Sequence, residues 1–467
     1  MTLALPCYAL LATERYTLLA RLVAWLGFGL ALLPTLVMVL RPQSPPCGVA
    51  ATGLVIAFFY HLGVFHERRL LLRWGMARIS DDSVELALLL AALATPCMWL
   101  GWFLVGRLRP GRILPQPRLE LAPRTLRAAG VAIILWSLLA DALWIHGQLT
   151  TYQPAVSVIQ ALAPLELGFA LLVVHRLGGH ATLRDRVLFG GWMVLVGCIA
   201  LARGMIMVII RPFLIFLLGW LYLARRIRLM PVLAVLAVVL LMQPVKGEFR
   251  QRIWDRPVEM GIAERALLYL SLMERHWLGS AAGPPVDAGQ SLQRAAARTG
   301  ASLPLAHIME LTPASVPYQR GATYRYLLYT FVPRFLYPDK PIAQQADVWA
   351  AIMYGYTTER GTAHVMVGLS QMGEAFINFG FLGALGFLVL LGGLYRICDE
   401  VLLHPGAGSG SRALYLFYLL NAMIGSEGSF AQFWGGVIQT FLFYGAGLWV
   451  LAVRRPLAVD AGMSSRA

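Results

Sequence analysis

The chain has 467 residues, of which 58% are hydrophobic and only 13% charged, about half the charged share of an average soluble domain. That balance excludes an ordinary soluble enzyme and a disordered chain, and it makes the length a matter of membrane spans. The formal charge is +15, and all the basic residues but Lys246 and Lys340 are arginine. In a membrane protein such an excess first reflects loops kept on the cytoplasmic side, so nucleic acid is not implied. The five cysteines form no C-x-x-C pair, which argues against a metal cage or a disulfide framework.

A helix needs about 20 mostly apolar residues to cross the hydrocarbon core. Such runs lie near 22–40, 49–65, 84–106, 128–147, 157–175, 187–202, 206–224, 229–243, 377–396, 413–433 and 435–453. The expected fold is an all-α polytopic membrane protein of about eleven (10–13) spans with one large, mainly helical extracytoplasmic loop. It divides into an N-terminal bundle of about eight spans (1–243), the loop (244–376) and a C-terminal segment of about three spans (377–467). The first run is long and no small-x-small cleavage site follows it, unlike a signal peptide.

Loop charge sets the direction. Arg107, Arg109, Arg112, Arg118, Arg124 and Arg127 fill one loop; Arg176, Arg184 and Arg186 a second; Arg225, Arg226 and Arg228 a third; and Arg454 and Arg455 follow the last span. On the span count all fall on one side, which is then cytoplasmic. The 66–82 loop disagrees: it carries Arg68, Arg69, Arg73 and Arg78 yet falls outside, so the side of the N-terminus stays open.

Charged residues inside spans are candidates for function by default. They are Asp141, Glu166, Arg211 and Glu427. For Asp141 and Arg211 an internal ion pair or an interfacial side chain is the preferred explanation; for Glu427, between Gly425-Ser426 and Gly428-Ser429, a functional role weighs as much as a structural one. Arg203-Gly204 breaks the apolar stretch 187–224 at its outer turn, where a guanidinium fork suits either lipid phosphate or a substrate phosphate.

Lys246, Arg250 and Arg252 follow the eighth run directly, and in a helix 246 and 250 share a face. They suit an anionic lipid-linked diphosphate, or else form a solvated face with Glu248 and Asp255 as partners. The 262–277 stretch is amphipathic and too charged to span, which predicts a helix lying on the membrane surface; a further helix is predicted at 289–300.

The densest stretch is 312–341, with Thr323-Tyr324 and then Val332-Pro333-Arg334-Phe335-Leu336-Tyr337-Pro338-Asp339-Lys340-Pro341. Three prolines in nine residues forbid a continuous helix, so Arg334 and Lys340 sit on a stiff segment beside aromatics, as a cationic pocket or a structural corner. His364 follows, then Gly373-Glu374-Ala375-Phe376-Ile377-Asn378-Phe379-Gly380. Histidine suits proton transfer near neutrality, although a lone histidine is as often structural; Glu374 is placed to orient it or to act as the base itself.

With these motifs in view, the chain resembles the bacterial Wzy-type oligosaccharide repeat-unit (O-antigen) polymerases. The matching features are the Arg203-Gly204 turn, the long late loop, the 311–341 run and "GEAFINFGFLG" at 373–383, in order over roughly 187–396. The resemblance implies a fold similar to GT-C enzymes and O-antigen ligases, in the bacterial inner membrane with a periplasmic active site. It implies a donor and an acceptor both linked to undecaprenyl diphosphate, and a flippase and a chain-length regulator as partners. The leaving diphosphate calls for fixed cations: Arg203, Arg250 and Arg334, with Arg252 and Lys340 in support. The acceptor hydroxyl calls for a base: His364, then Glu374. Glu427, Tyr324 and Asp339 are further candidates. No cofactor and no metal are expected. An O-antigen ligase, a lipid-linked glycan transporter and a transferase using monophospholipid sugars are the competing readings.

Overall fold

A computed structural model describes residues 17–41, 44–62, 79–145, 163–226, 228–254, 260–278, 300–332, 336–363 and 367–452. Among them the chain is all helical, as expected. The principal helices are α1 (Leu18–Leu40), α2 (Val49–Val55, continued by a π-helical turn Ile56–Leu62), α3 (Asp81–Leu108), α4 (Pro123–Ile145), α5 (Leu165–Leu177) and α6 (Leu183–Arg203). Next come α7 (Ile206–Leu218, with a π-helical end Gly219–Leu223), α8 (Leu229–Met242), α9 (Lys246–Trp254), α10 (Ile262–Leu278) and α11 (Ser302–Leu311). The last are α12 (Tyr326–Thr330), α13 (Gln345–Met353), α14 (Gln371–Leu402), α15 (Ser409–Gly425) and α16 (Phe430–Leu451).

Seven of the described helices are long and apolar enough to cross a membrane: α1, α3, α4, α6, α7 with its π end, α14 and α16. An eighth follows if α8 and α9, bent by 57° at their junction, count as one span. Length therefore does not supply the expected eleven, because the runs at 49–65, 157–175, 229–243 and 413–433 appear as the shorter α2, α5, α8 and α15. Two boundaries also move. The Gly425–Ser429 turn ends α15 early and starts α16 at Phe430. Ser370 caps α14 by accepting from Gly373 N–H at 3.0 Å, so that helix begins six residues before the expected 377. The helix predicted at 262–277 is α10; of 289–300 all but residue 300 lies outside the described residues.

Local chemistry explains the helix ends. Ser80 caps α3, with Asp81 and Asp82 in its first turn, where carboxylates complement the positive pole. Thr182 and Asp185 form a capping box on α6, and α6 stops at Gly204, whose φ of 63° a β-carbon would disfavour. The central packing is α14 against α3, side by side at the backbone. A β-carbon on Gly101 would lie 1.8 Å from the Val389 carbonyl oxygen, and one on Gly392 1.8 Å from that of Met98. Small residues admit such an approach where lipid offers no hydrophobic driving force between helices. Asp399, buried in the same helix, accepts from Gly48 N–H (2.8 Å), Trp102 Nε1 (2.6 Å) and Tyr415 Oη (2.8 Å), tying α14 to α3, α15 and the start of α2.

Hydrogen bonds sort the loops into two ends. At the arginine-rich end, Ser411 Oγ and Ser409 Oγ accept from Leu119 and Leu121 N–H, and Arg225 donates to the Ser44 carbonyl. At the opposite end, Ser80 bonds to Glu310, Ala301 N–H donates to the Phe59 carbonyl, and Thr17 bonds to Glu85. The end of the discordant 66–82 loop thus sits with α11, away from the arginine-rich loops, and α1 begins at that same end; Arg68, Arg69, Arg73 and Arg78 themselves lie outside the described residues.

The helix contact makes a direct expectation. Gly392→Leu drives a side chain into the Met98 backbone and should cost more than the about 1–3 kcal/mol of ordinary overpacking, seen as loss of the monodisperse peak in detergent. Gly386→Leu, on the same helix with nothing within 4 Å of the added β-carbon, should be tolerated.

Candidate functional site

Four helices bring charge into the bundle near the end opposite the arginine-rich loops. Arg203, in the last turn of α6, pairs with Asp141 in the last turns of α4. Arg211, in α7, pairs with Glu166 in the first turn of α5. The ion-pair reading of Asp141 and Arg211 is correct, and each partner lies on a different helix, 62 and 45 residues away in sequence. Both pairs line one cavity of about 280 Å³, completed by Ser137, Asn421, Gln439 and Thr440. Carboxylates fix the guanidiniums so that they need not reorganise when a ligand's charge arrives, and a buried pair holds only while both members are present.

Arg250 stands beside the same turn. Phe249 packs on Gly204, where a β-carbon would lie 2.7 Å from its ring and 3.9 Å from Arg250 Cγ. Lys246 and Arg250 do share a helix, α9, as the spacing requires. Arg252 turns to Glu248 at 2.5 Å in an exposed i, i+4 pair, the solvated-face alternative rather than a phosphate contact.

The 311–341 run and the 373–383 motif meet. Helix α14 kinks at Gly380 (φ 70°, ψ −170°), which frees the carbonyls of Ile377 and Asn378 to accept from Gln319 and Arg320 N–H at 2.8 and 3.2 Å. The Asn378 amide completes the joint: Oδ1 accepts from Gly321 N–H (2.7 Å), and Nδ2 donates to Thr323 Oγ1 (2.8 Å) and the Glu374 carbonyl (2.7 Å). Tyr324 stacks on Phe379 and Phe387, with centroids 5.9 and 5.3 Å apart, and meets Phe430 edge-on at 5.6 Å. Its ring packs this joint.

Two buried carboxylates lock the neighbouring turn. Glu374 is fully buried, with Oε2 accepting from Phe430 N–H at 2.6 Å, the first residue of α16. Asp347, from α13, accepts from Leu369 N–H (2.8 Å) and from Ser429 N–H and Oγ (3.2 and 2.7 Å). Burial holds the Asp347 carboxyl above its usual range, whereas bonds from Ser80 and Ser83 hold that of Glu310 below. Lys340 donates to the carbonyls of Tyr329 (3.2 Å) and Val332 (2.6 Å), closing the proline-rich loop. Lys340 thus has a structural part in this loop. Asp339 is exposed on that loop, and Glu427 is exposed at the α15–α16 turn, its backbone carbonyl accepting from Ser370 N–H at 3.0 Å. Arg334 and His364 lie outside the described residues.

The joint and the cavity share helix α16. Gln439, on the cavity wall, donates to the Thr330 carbonyl at 2.7 Å, so α12 sits directly against that wall. Sequence reading missed Asp347, Asn378, Gln439 and Asn421 as contributors. Asn378 lay within the 373–383 motif, and Asp347 carried a signal as an acid among apolar residues in a short amphipathic stretch. No family model matches the chain, and neither a characterised protein nor a solved structure does.

Asp347→Ala strands three donors, each about 1–3 kcal/mol when buried and unsatisfied, and should lower the melting temperature markedly. With the native pKa raised, the folded state holds its proton more tightly than the unfolded state. Stability should then fall as pH rises from the ordinary carboxylate value through the raised one. Asp347→Asn should lack that slope in a pH series of thermal melts.

Proposed function

We propose that this protein is a glycosyltransferase of the bacterial inner membrane that polymerises oligosaccharide repeat units carried on undecaprenyl diphosphate. The observation that supports it most is the cavity in which Arg203 and Arg211 are fixed by Asp141 and Glu166, with Arg250 beside the Arg203-Gly204 turn. By the arginine distribution this cavity faces the periplasm. In the reaction, a hydroxyl of the acceptor repeat unit attacks C1 of the donor's reducing-end sugar. The bond from C1 to the diphosphate oxygen breaks, and undecaprenyl diphosphate leaves with the bonding pair. The guanidiniums meet the charge that develops on the leaving oxygens, in a site of low dielectric where fixed donors act most strongly. His364 takes the hydroxyl proton. Glu374, with its carboxylate on Phe430 N–H, acts by holding the start of α16, which carries Gln439 and Thr440 to the cavity. Arg334 is the further cation of this reading.

The test is polymerisation of a defined lipid-linked repeat unit by the purified protein in lipid discs. Arg203→Ala should reduce the rate by about 10²–10³, the usual loss for one preorganised donor, and lysine should rescue in part because it lacks the bidentate fork. Because the alanine leaves Asp141 unpaired, Arg203→Ala with Asp141→Asn should recover stability but not activity. Arg252→Ala should leave the rate near wild type. His364→Asn and His364→Gln should bind donor and fail to extend it. A full product ladder from Arg203→Ala would overturn the reading, and transfer to a lipid A core acceptor in place of chain growth would make the protein an O-antigen ligase.

A further inference from the structure

A second pocket lies at the arginine-rich end, between α4, α5, α6 and α7. Arg127, His175, Arg176, Asp185 and Arg186 form its mouth, and Leu172, Phe189, Trp192 and Phe216 its inner wall. Its free volume is about 40 Å³, room for about three waters, the scale of a phosphate group and too small for a sugar. Three arginines oppose one carboxylate. Arg127 is set by Asp185 at 3.0 Å, and the Arg176 guanidinium lies 5.9 Å over the Trp220 ring. The side chain of His175 is 7% exposed, and its Nε2 lies 3.8 Å from Asp185 Oδ2. Its Nδ1 has no hydrogen-bond partner, and Trp192 Nε1 is likewise buried without one.

The three arginines are exposed at the mouth, as in any cytoplasmic loop, but such a loop would not bury a histidine side chain and an indole N–H beside them. An unmatched buried imidazole or indole N–H is costly, and an anion with several acceptor oxygens removes that cost. The surroundings select a lipid as its carrier. Leu183, Val187 and Leu188, in the first turns of α6, are exposed beside the pocket, and only acyl chains cover such a surface favourably at a membrane interface.

We infer that this pocket binds the phosphate of an acidic phospholipid, with Arg176, Arg186, His175 and Trp192 around the headgroup and the acyl chains along α6. The site lies at the end of the bundle away from the Arg203 cavity and does not depend on the proposed reaction.

The experiment uses the full chain in a neutral detergent and native mass spectrometry with added phosphatidylglycerol, phosphatidylcholine or inorganic phosphate. Phosphatidylglycerol should be retained in preference to phosphatidylcholine. Arg176→Ala with Arg186→Ala should weaken its binding about 25-fold, some five-fold for each arginine near an anionic lipid. Trp192→Phe, which deletes the indole N–H with little change of volume, should weaken it several-fold and guards against a double variant that fails to fold. Equal retention of the two lipids, or an unchanged preference in Trp192→Phe and in a folded double variant, would overturn the proposal. Competition by millimolar inorganic phosphate that abolishes lipid retention would make the ligand a soluble phosphate and overturn it equally.

Discussion

A charged side chain in the apolar interior of a helical bundle is costly unless a partner or water meets it. In this chain that requirement arises four times within a small volume, at Asp141, Glu166, Arg203 and Arg211, on four successive helices. Each cation meets an anion from another helix, so the helices that supply them are held together at the cavity wall. The position of Arg203 depends in turn on the left-handed Gly204, which ends α6 and leaves room for Phe249 of the following α8–α9 corner. The chemistry of the cavity and the path of the chain around it are the same constraint seen from two sides.

The assembly next to the cavity solves a different problem, the satisfaction of backbone groups where helices stop. The kink at Gly380 frees two carbonyls, which Gln319 and Arg320 take up, and Asn378 saturates the rest of the joint. At the α15–α16 turn, Asp347 and Glu374 accept the N–H groups that open α16, the place where a carboxylate also complements the helix dipole. Asp347 takes three donors and Glu374 takes Phe430 N–H, and such buried acceptors fix geometry more than they contribute net stability. Their consequence for function is a rigid α16, with Gln439 and Thr440 presented to the cavity and α12 docked against it.

The other end of the bundle is held by backbone contact and by one buried acid. Gly101 and Gly392 let α3 and α14 touch, and Asp399 gathers donors from three separate parts of the chain. Above this floor the 119–121 and 409–411 segments pair through serine hydroxyls, which keeps the arginine-rich loops on one side. At the other end the described residues 300–332 and 336–363 pack onto the helix ends, through Ala301 on Phe59, Glu310 on Ser80 and Asp347 on Ser429.

The sequence by itself determined the membrane character, the main spans, the gathering of the arginine loops at one end, the α10 helix and the break at Arg203-Gly204. Hydropathy, helical periodicity, loop charge and a glycine after a helix are local quantities, read within a few residues. It also pointed to 311–341 and 373–383 as a pair, and these do meet at the Gly380 kink. Only the tertiary structure decided the partners. That Asp141 belongs to Arg203, that Glu374 opens α16, that Lys340 binds carbonyls and that Asp347 clamps a turn 82 residues away are long-range matches of one donor to one acceptor. No local pattern carries them, because a side chain's sequence neighbours do not say which buried group it will meet.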